Sequence, residues 1–197
     1  ALSCRWSHVV HPARTSYEKF QHVVGLSGFE GAHMLWLDIW SNWFLGNWNE
    51  MFEITSGMSD DALRRSDFFQ LALLIGGFGR GAWLGRDRVN DVHQLQMRCE
   101  TFRSDSPRPN SFTVFDFLAR IQECIYKKQF SDGWRIYQQL DGSLREFPRA
   151  TVQLARVSAL TVGTLLAIHQ YAQNQHEDWL KRIRSMIGEL RRERIPF

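Results

Sequence analysis

The sequence predicts an α+β protein, with short strands and one helix in roughly the first hundred residues and helices alone after that. Three observations carry the expectation. Residues 1–57 are rich in aromatic and β-branched residues and broken by Gly25, Gly28, Gly31, Gly46 and Gly57, which reads as strands and turns. The hydrophobic period turns helical at Ser59. From Phe112 onward the apolar residues recur at helical spacing throughout.

Taken in order, Arg5–Val10 and Met34–Trp40 are expected as strands on composition. Asn49–Thr55 alternates polar and apolar residues as a half-buried strand does. Ser59-Asp60-Asp61 supplies an N-cap and early acids for a helix over Asp60–Ile75. Five glycines, Gly76, Gly77, Gly79, Gly81 and Gly85, then stop it, and Val89–Phe102 reads as an extended strand pairing antiparallel with an N-terminal one. This α+β region spans 1–103. Residues 104–111, dense in Ser, Pro, Asp and Asn, form the linker. The helical region, 112–197, divides into Phe112–Lys128, Ser131–Leu140, Arg149–Gln173 and Glu177–Arg194. No internal repeat and no low-complexity segment is legible.

Composition bounds the function. At 197 residues, 44% hydrophobic and 13% aromatic, the chain has enough apolar surface for a packed core. Eight Trp and 14 Phe point to core and subunit interfaces. The net charge of +3 permits a nucleic-acid partner without demanding one. Cys4, Cys99 and Cys124 are odd in number and far apart, so a disulfide framework or a zinc knuckle is not expected, and reduced buried thiols are. The longest apolar stretch, Ala159–Ile168, is half the length of a membrane span. No signal peptide is legible, and the lack of an initiator Met suggests a trimmed chain or a piece of a longer one. A cytoplasmic protein is expected.

One segment asks for a special explanation: Gly76-Gly77-Phe78-Gly79-Arg80-Gly81-Ala82-Trp83-Leu84-Gly85-Arg86-Asp87-Arg88. Glycines permit positive φ and close backbone approach, and successive N–H groups can form a nest for anions. Arginines add forked donors suited to phosphate oxygens. The loop follows a helix and precedes a strand, the reverse of the Rossmann and P-loop order, and there is no G-K-[ST].

That order of elements, with Leu74-Ile75 leading into the glycines and Gly85-Arg86 leading out, resembles the glycine-rich loop of the repeat-associated (RAMP) superfamily of CRISPR subunits. The resemblance covers roughly Asn49–Phe102. It implies a ferredoxin-like, RRM-type fold with the loop between its second helix and its last strand. It implies guide-RNA backbone contact at Gly76, Gly77, Gly79, Arg80, Gly81, Gly85, Arg86 and Arg88. It further implies a structural subunit of a type III-like RNA-guided antiviral effector, partnered by guide RNA and other subunits, with no small-molecule cofactor. The same residues also fit a helical scaffold or adaptor that binds protein through an aromatic-rich surface, its glycines only a turn.

Other candidates are weaker. His8-x-x-His11 lacks the acidic and third-ligand context of a zinc site, and no metal is expected. His22, His33, His93, His169 and His176 are scattered. Asp38 and Asp60-Asp61 offer carboxylates without a legible pairing. No G-x-S-x-G or H-E-x-x-H signature appears, so a binding role is expected over a catalytic one, and an enzyme with an unrecognised site is the third reading. The cations of the last helix, Lys181, Arg182, Arg184, Arg191, Arg192 and Arg194, read as a solvated face or as the side of an RNA path.

Overall fold

The computed structural model describes residues 7–24, 29–100, 111–145 and 153–193. Ten helices occupy them: α1 Ser7–Val24, α2 Phe29–Leu45, α3 Trp48–Arg64, α4 Phe68–Ile75, α5 Gly79–Gly85, α6 Val89–Glu100, α7 Ser111–Tyr126, α8 Phe130–Arg145, α9 Gln153–Asn174 and α10 Glu177–Arg192. No strand occurs among the described residues. The α+β, ferredoxin-like expectation is thus corrected to an all-helical fold.

Each misread element has a physical reason. Asn49–Thr55 lies inside α3, whose buried residues are Met51, Thr55, Ser59 and Ala62, a helical stripe longer than the seven residues that alternate. Met34–Trp40 lies in α2, which packs against α1, α3 and α4. A helix covered on several sides is apolar all round and loses its amphipathic period, so tertiary packing overrides β propensity. Ser7–Val10 opens α1, and the first residues of that expected strand lie outside the described ones. The single helix expected over Asp60–Ile75 breaks at Ser66, and Asp67 caps α4 by accepting from the Gln70 amide at 3.0 Å. Val89–Glu100 is α6, held by fully buried Val92, so the strand required after the glycines is absent. The expected linker falls on residues 104–110, outside the described ones, and Ser111, which begins α7.

A turn repeats along the chain. Gly46, Ser66, Asp87 and Lys128 have φ of 75°, 56°, 57° and 58°. Each donates its amide to the carbonyl three residues back, in Trp43, Leu63, Leu84 and Ile125. The next amides, of Asn47, Asp67, Arg88 and Gln129, reach five residues back to Asn42, Ala62, Trp83 and Cys124 at 2.8–3.0 Å. These are Schellman helix stops. Two residues after each left-handed residue an apolar side chain opens the next helix: Trp48, Phe68, Val89 and Phe130. The result is a series of tightly joined helical hairpins.

The chain divides into two compact units, α1–α6 and α7–α10. In the first, α1 packs on α2, α3 on α2, α4 and α5, and α4 on α5 and α6, around Leu35, Ile39, Trp40, Met51, Leu71, Leu74 and Val92. In the second, the hairpins α7/α8 and α9/α10 stack through α8 and α7 against α9. Its core gathers Leu118, Ile121, Tyr137, Leu140, Leu160, Leu166 and Met186. Glycines set how closely α8 and α9 approach. A Cβ on Gly133 would meet Leu166 Cδ2 at 2.9 Å, and one on Gly163 would meet the Tyr137 ring at 2.5 Å.

Candidate functional site

The glycine–arginine segment is a tight connection between α4 and α5 followed by α5 itself, and most of it faces inward. Gly76, Gly77, Gly79, Arg80 and Gly81 are buried, while Gly85, Arg86 and Arg88 are exposed. Gly76 ends α4 in extended backbone, and Gly77 takes φ 48°, which favours glycine. Gly79 lies against the chain's own backbone: a Cβ there would sit 2.7 Å from the carbonyl carbon of Leu74. The close approach inferred from the glycines is therefore made by helix α4.

The arginines are also engaged within the unit. Arg80 is 1% exposed, and its guanidinium donates to Gln96 Oε1 of α6. The Arg86 guanidinium lies 5.6 Å from the centre of the Phe52 ring. Arg88 pairs with Asp91 in the first turn of α6.

The surface that the sequence reading left undistinguished is the corner where α2 turns into α3. Residues 41–49, Ser-Asn-Trp-Phe-Leu-Gly-Asn-Trp-Asn, carry no charge, and the Schellman turn at Gly46 folds them into one point. Phe44, Leu45 and Trp48 are 39%, 41% and 42% exposed. Phe44 and Trp48 stand on an aromatic floor. Trp48 meets Trp43 edge-on at 4.6 Å, Trp43 and Phe44 lie 4.7 and 6.0 Å from Phe78, and buried Trp40 lies 5.6 Å from Phe78 and stacks on Trp36 at 4.9 Å. The legible signal was an uncharged, aromatic nine-residue run centred on a turn-forming Gly-Asn pair.

A polar clamp behind the corner fixes α1, α2 and α3 together. Arg14 of α1 donates to both Asp38 oxygens, at 3.0 and 3.2 Å, and to Glu50 of α3 at 2.7 Å. Asp38 also accepts from Asn42 Nδ2 at 2.7 Å, and Asn42 Oδ1 accepts from Asn47 Nδ2 at 2.9 Å. Burial pushes the Asp38 carboxyl above its ordinary range, against the pull of Arg14 and Asn42, while the Asp38 carboxylate raises Arg14. With its carboxylate filled by donors, Asp38 is a structural anchor.

The remaining candidates are dispersed. His8 and His11 are exposed on α1, His11 Nδ1 sharing a hydrogen bond with Thr15 Oγ1 at 3.0 Å. His169 stacks on Phe130 at 4.2 Å. Asp61 pairs with Arg64 and Arg65, and His176 caps α10. Cys124 is a free, buried thiol whose pKa burial raises; Cys4 and the Cys99 side chain lie outside the described residues. No group of three or more potential metal ligands occurs among the described residues, and no helix among them is long and apolar enough to cross a membrane. No protein-family model, no curated protein and no solved structure matches the chain.

Proposed function

We propose that the chain is a helical-hairpin scaffold that holds a protein partner on the apolar corner between α2 and α3. The observation that carries this reading is the joint exposure of Phe44, Leu45 and Trp48 on one turn. Single exposed apolar residues are ordinary on a protein surface, whereas a contiguous group marks an interaction site. The chemistry suits a protein interface, since aromatics are enriched and charges depleted at interface centres. The aromatic floor holds Phe44 and Trp48 in place, so little of their rotamer entropy is lost when a partner covers them. A frame of short-looped hairpins serves the same end.

The guide-RNA reading stands as the alternative. It draws on the glycine–arginine segment, where Arg86 and Arg88 are the exposed cations, one over Phe52 and the other paired with Asp91. The deciding experiment is affinity capture from native extract with the full chain and with Leu45→Glu and Trp48→Ala, each checked by circular dichroism. A discrete protein retained by the wild type and lost with both variants is the expected result. Capture of a discrete RNA in place of protein, or retention untouched by the variants, would overturn it.

A further inference from the structure

We propose that the outer face of α10 is a second docking surface, which receives an acidic helix of a partner protein. The inference goes beyond the corner of α2 and α3, because it concerns the other unit and the opposite chemistry.

Along α10, Trp179, Ile183, Met186 and Leu190 turn to the core of their unit. At 100° per residue the opposite side brings Lys181, Arg184, Arg191 and Arg192 around Gly188. The cations there are exposed. Of the acids near this face, Glu177 lies on it at the start of the helix and Asp178 holds Lys181 at 3.2 Å, while Glu193 and Glu189 reach away to Arg156 of α9 at 3.1 and 3.9 Å. No ion pair forms to Arg184, Arg191 or Arg192 among the described residues. The helix dipole accounts for Arg191 and Arg192 in the last turn but not for Lys181 and Arg184 in the first half. The second unit as a whole carries fourteen Lys and Arg against nine Asp and Glu, while the first carries ten against twelve.

Geometry selects the form of the acidic partner. Positions 181, 184, 188 and 191 follow the three–four–three spacing of a seam that faces another helix. At its middle Gly188 has no side chain and is flanked by Arg192, whose guanidinium donates to the Gly188 carbonyl at 3.1 Å and would lie 3.9 Å from an added Cβ. A partner backbone can therefore come close there, with Ile187 and half-buried Leu180 lining one edge. A single nucleic-acid strand is favoured less, because such strands are held by stacking their bases on aromatic faces as well as by charge. The Trp of this helix, Trp179, is turned edge-on to Trp134 at 4.8 Å and covered by Arg182 at 5.7 Å.

The test uses the full chain and a fluorescent three-heptad helical peptide with Glu flanking a Leu seam, read by fluorescence anisotropy at low and moderate salt. Its Gln-for-Glu counterpart and a single-stranded RNA serve as comparison probes. The acidic peptide is expected to bind, the Gln peptide not. Arg184→Glu with Arg191→Glu should weaken binding by about tenfold or more. The same charge change at Arg135→Glu with Arg145→Glu, on exposed positions of α8, should have little effect. Gly188→Trp should weaken binding by filling the middle of the seam, with helicity by circular dichroism unchanged. Equal loss from both charge-reversed pairs would reduce the effect to overall charge and overturn the proposal. So would equal binding of the Gln peptide, or an RNA that binds more tightly and depends on the same residues. The Leu45→Glu variant should bind this peptide as the wild type does, so the outcome is independent of the corner between α2 and α3.

Discussion

Gly79 and Gly57 both sit in helices, and their surroundings give them opposite roles. Gly57, in the middle of α3, has nothing within 4 Å of an added Cβ. Gly57→Ala should stabilise the protein by about 0.5–1 kcal/mol in urea unfolding, as the helix loses only a source of backbone entropy. Gly79→Ala should destabilise it by about 1–3 kcal/mol or more, because the obstacle is the Leu74 carbonyl and backbone does not give way cheaply. The sequence made the glycine cluster conspicuous but not the identity of what approaches it, since a phosphate and a neighbouring helix both require a missing Cβ. Asp38 makes a second residue-scale prediction. Its folded carboxyl keeps its proton to higher pH than the unfolded one, because burial outweighs Arg14. The stability it contributes is present in acid and lost as pH rises from the ordinary carboxylate range through the raised value. In unfolding measured against pH, the stability of the wild type relative to Asp38→Asn should be greatest in acid and fall across that window.

Between helices the Schellman stops carry the architecture, and three of their four left-handed positions are not glycine. Ser66, Asp87 and Lys128 accept a conformation that costs an L residue about 1–2 kcal/mol. Lys128→Gly, at an exposed turn, should therefore raise the stability of the α7/α8 hairpin by about 0.5–1 kcal/mol after the glycine's own entropy cost. Where α8 meets α9 the opposite holds. Gly163→Ala would press a methyl into the Tyr137 ring, 7% exposed, and should cost about 1–3 kcal/mol. Tyr137→Leu should recover part of that loss in the double variant, a non-additivity that would be missing if the two helices did not pack here. These contrasts also explain what was legible. The four helices α7–α10 keep one solvated side, so their apolar residues recur at a readable period, whereas α2 and α4 are covered on several sides and read as strand or as part of a longer helix. The turns went unread because Ser, Asp and Lys do not advertise positive φ as Gly does.

At the scale of the molecule each unit has its own core, so the second unit expressed alone, Ser106–Pro196, should give a cooperative helical melt. The net charge of +3 hides the division between the units, because an acid-rich half offsets a basic one. The proposed partner site of the first unit is the α2–α3 corner and not the glycine–arginine segment. Site-specific photo-crosslinking tests it most directly, with a photoreactive amino acid placed at Leu45 in one variant and at Arg86 in another. Both positions are exposed, so a partner can reach either. A discrete protein adduct is expected from position 45 and none from position 86. An RNA adduct from position 86, with position 45 silent, would contradict it.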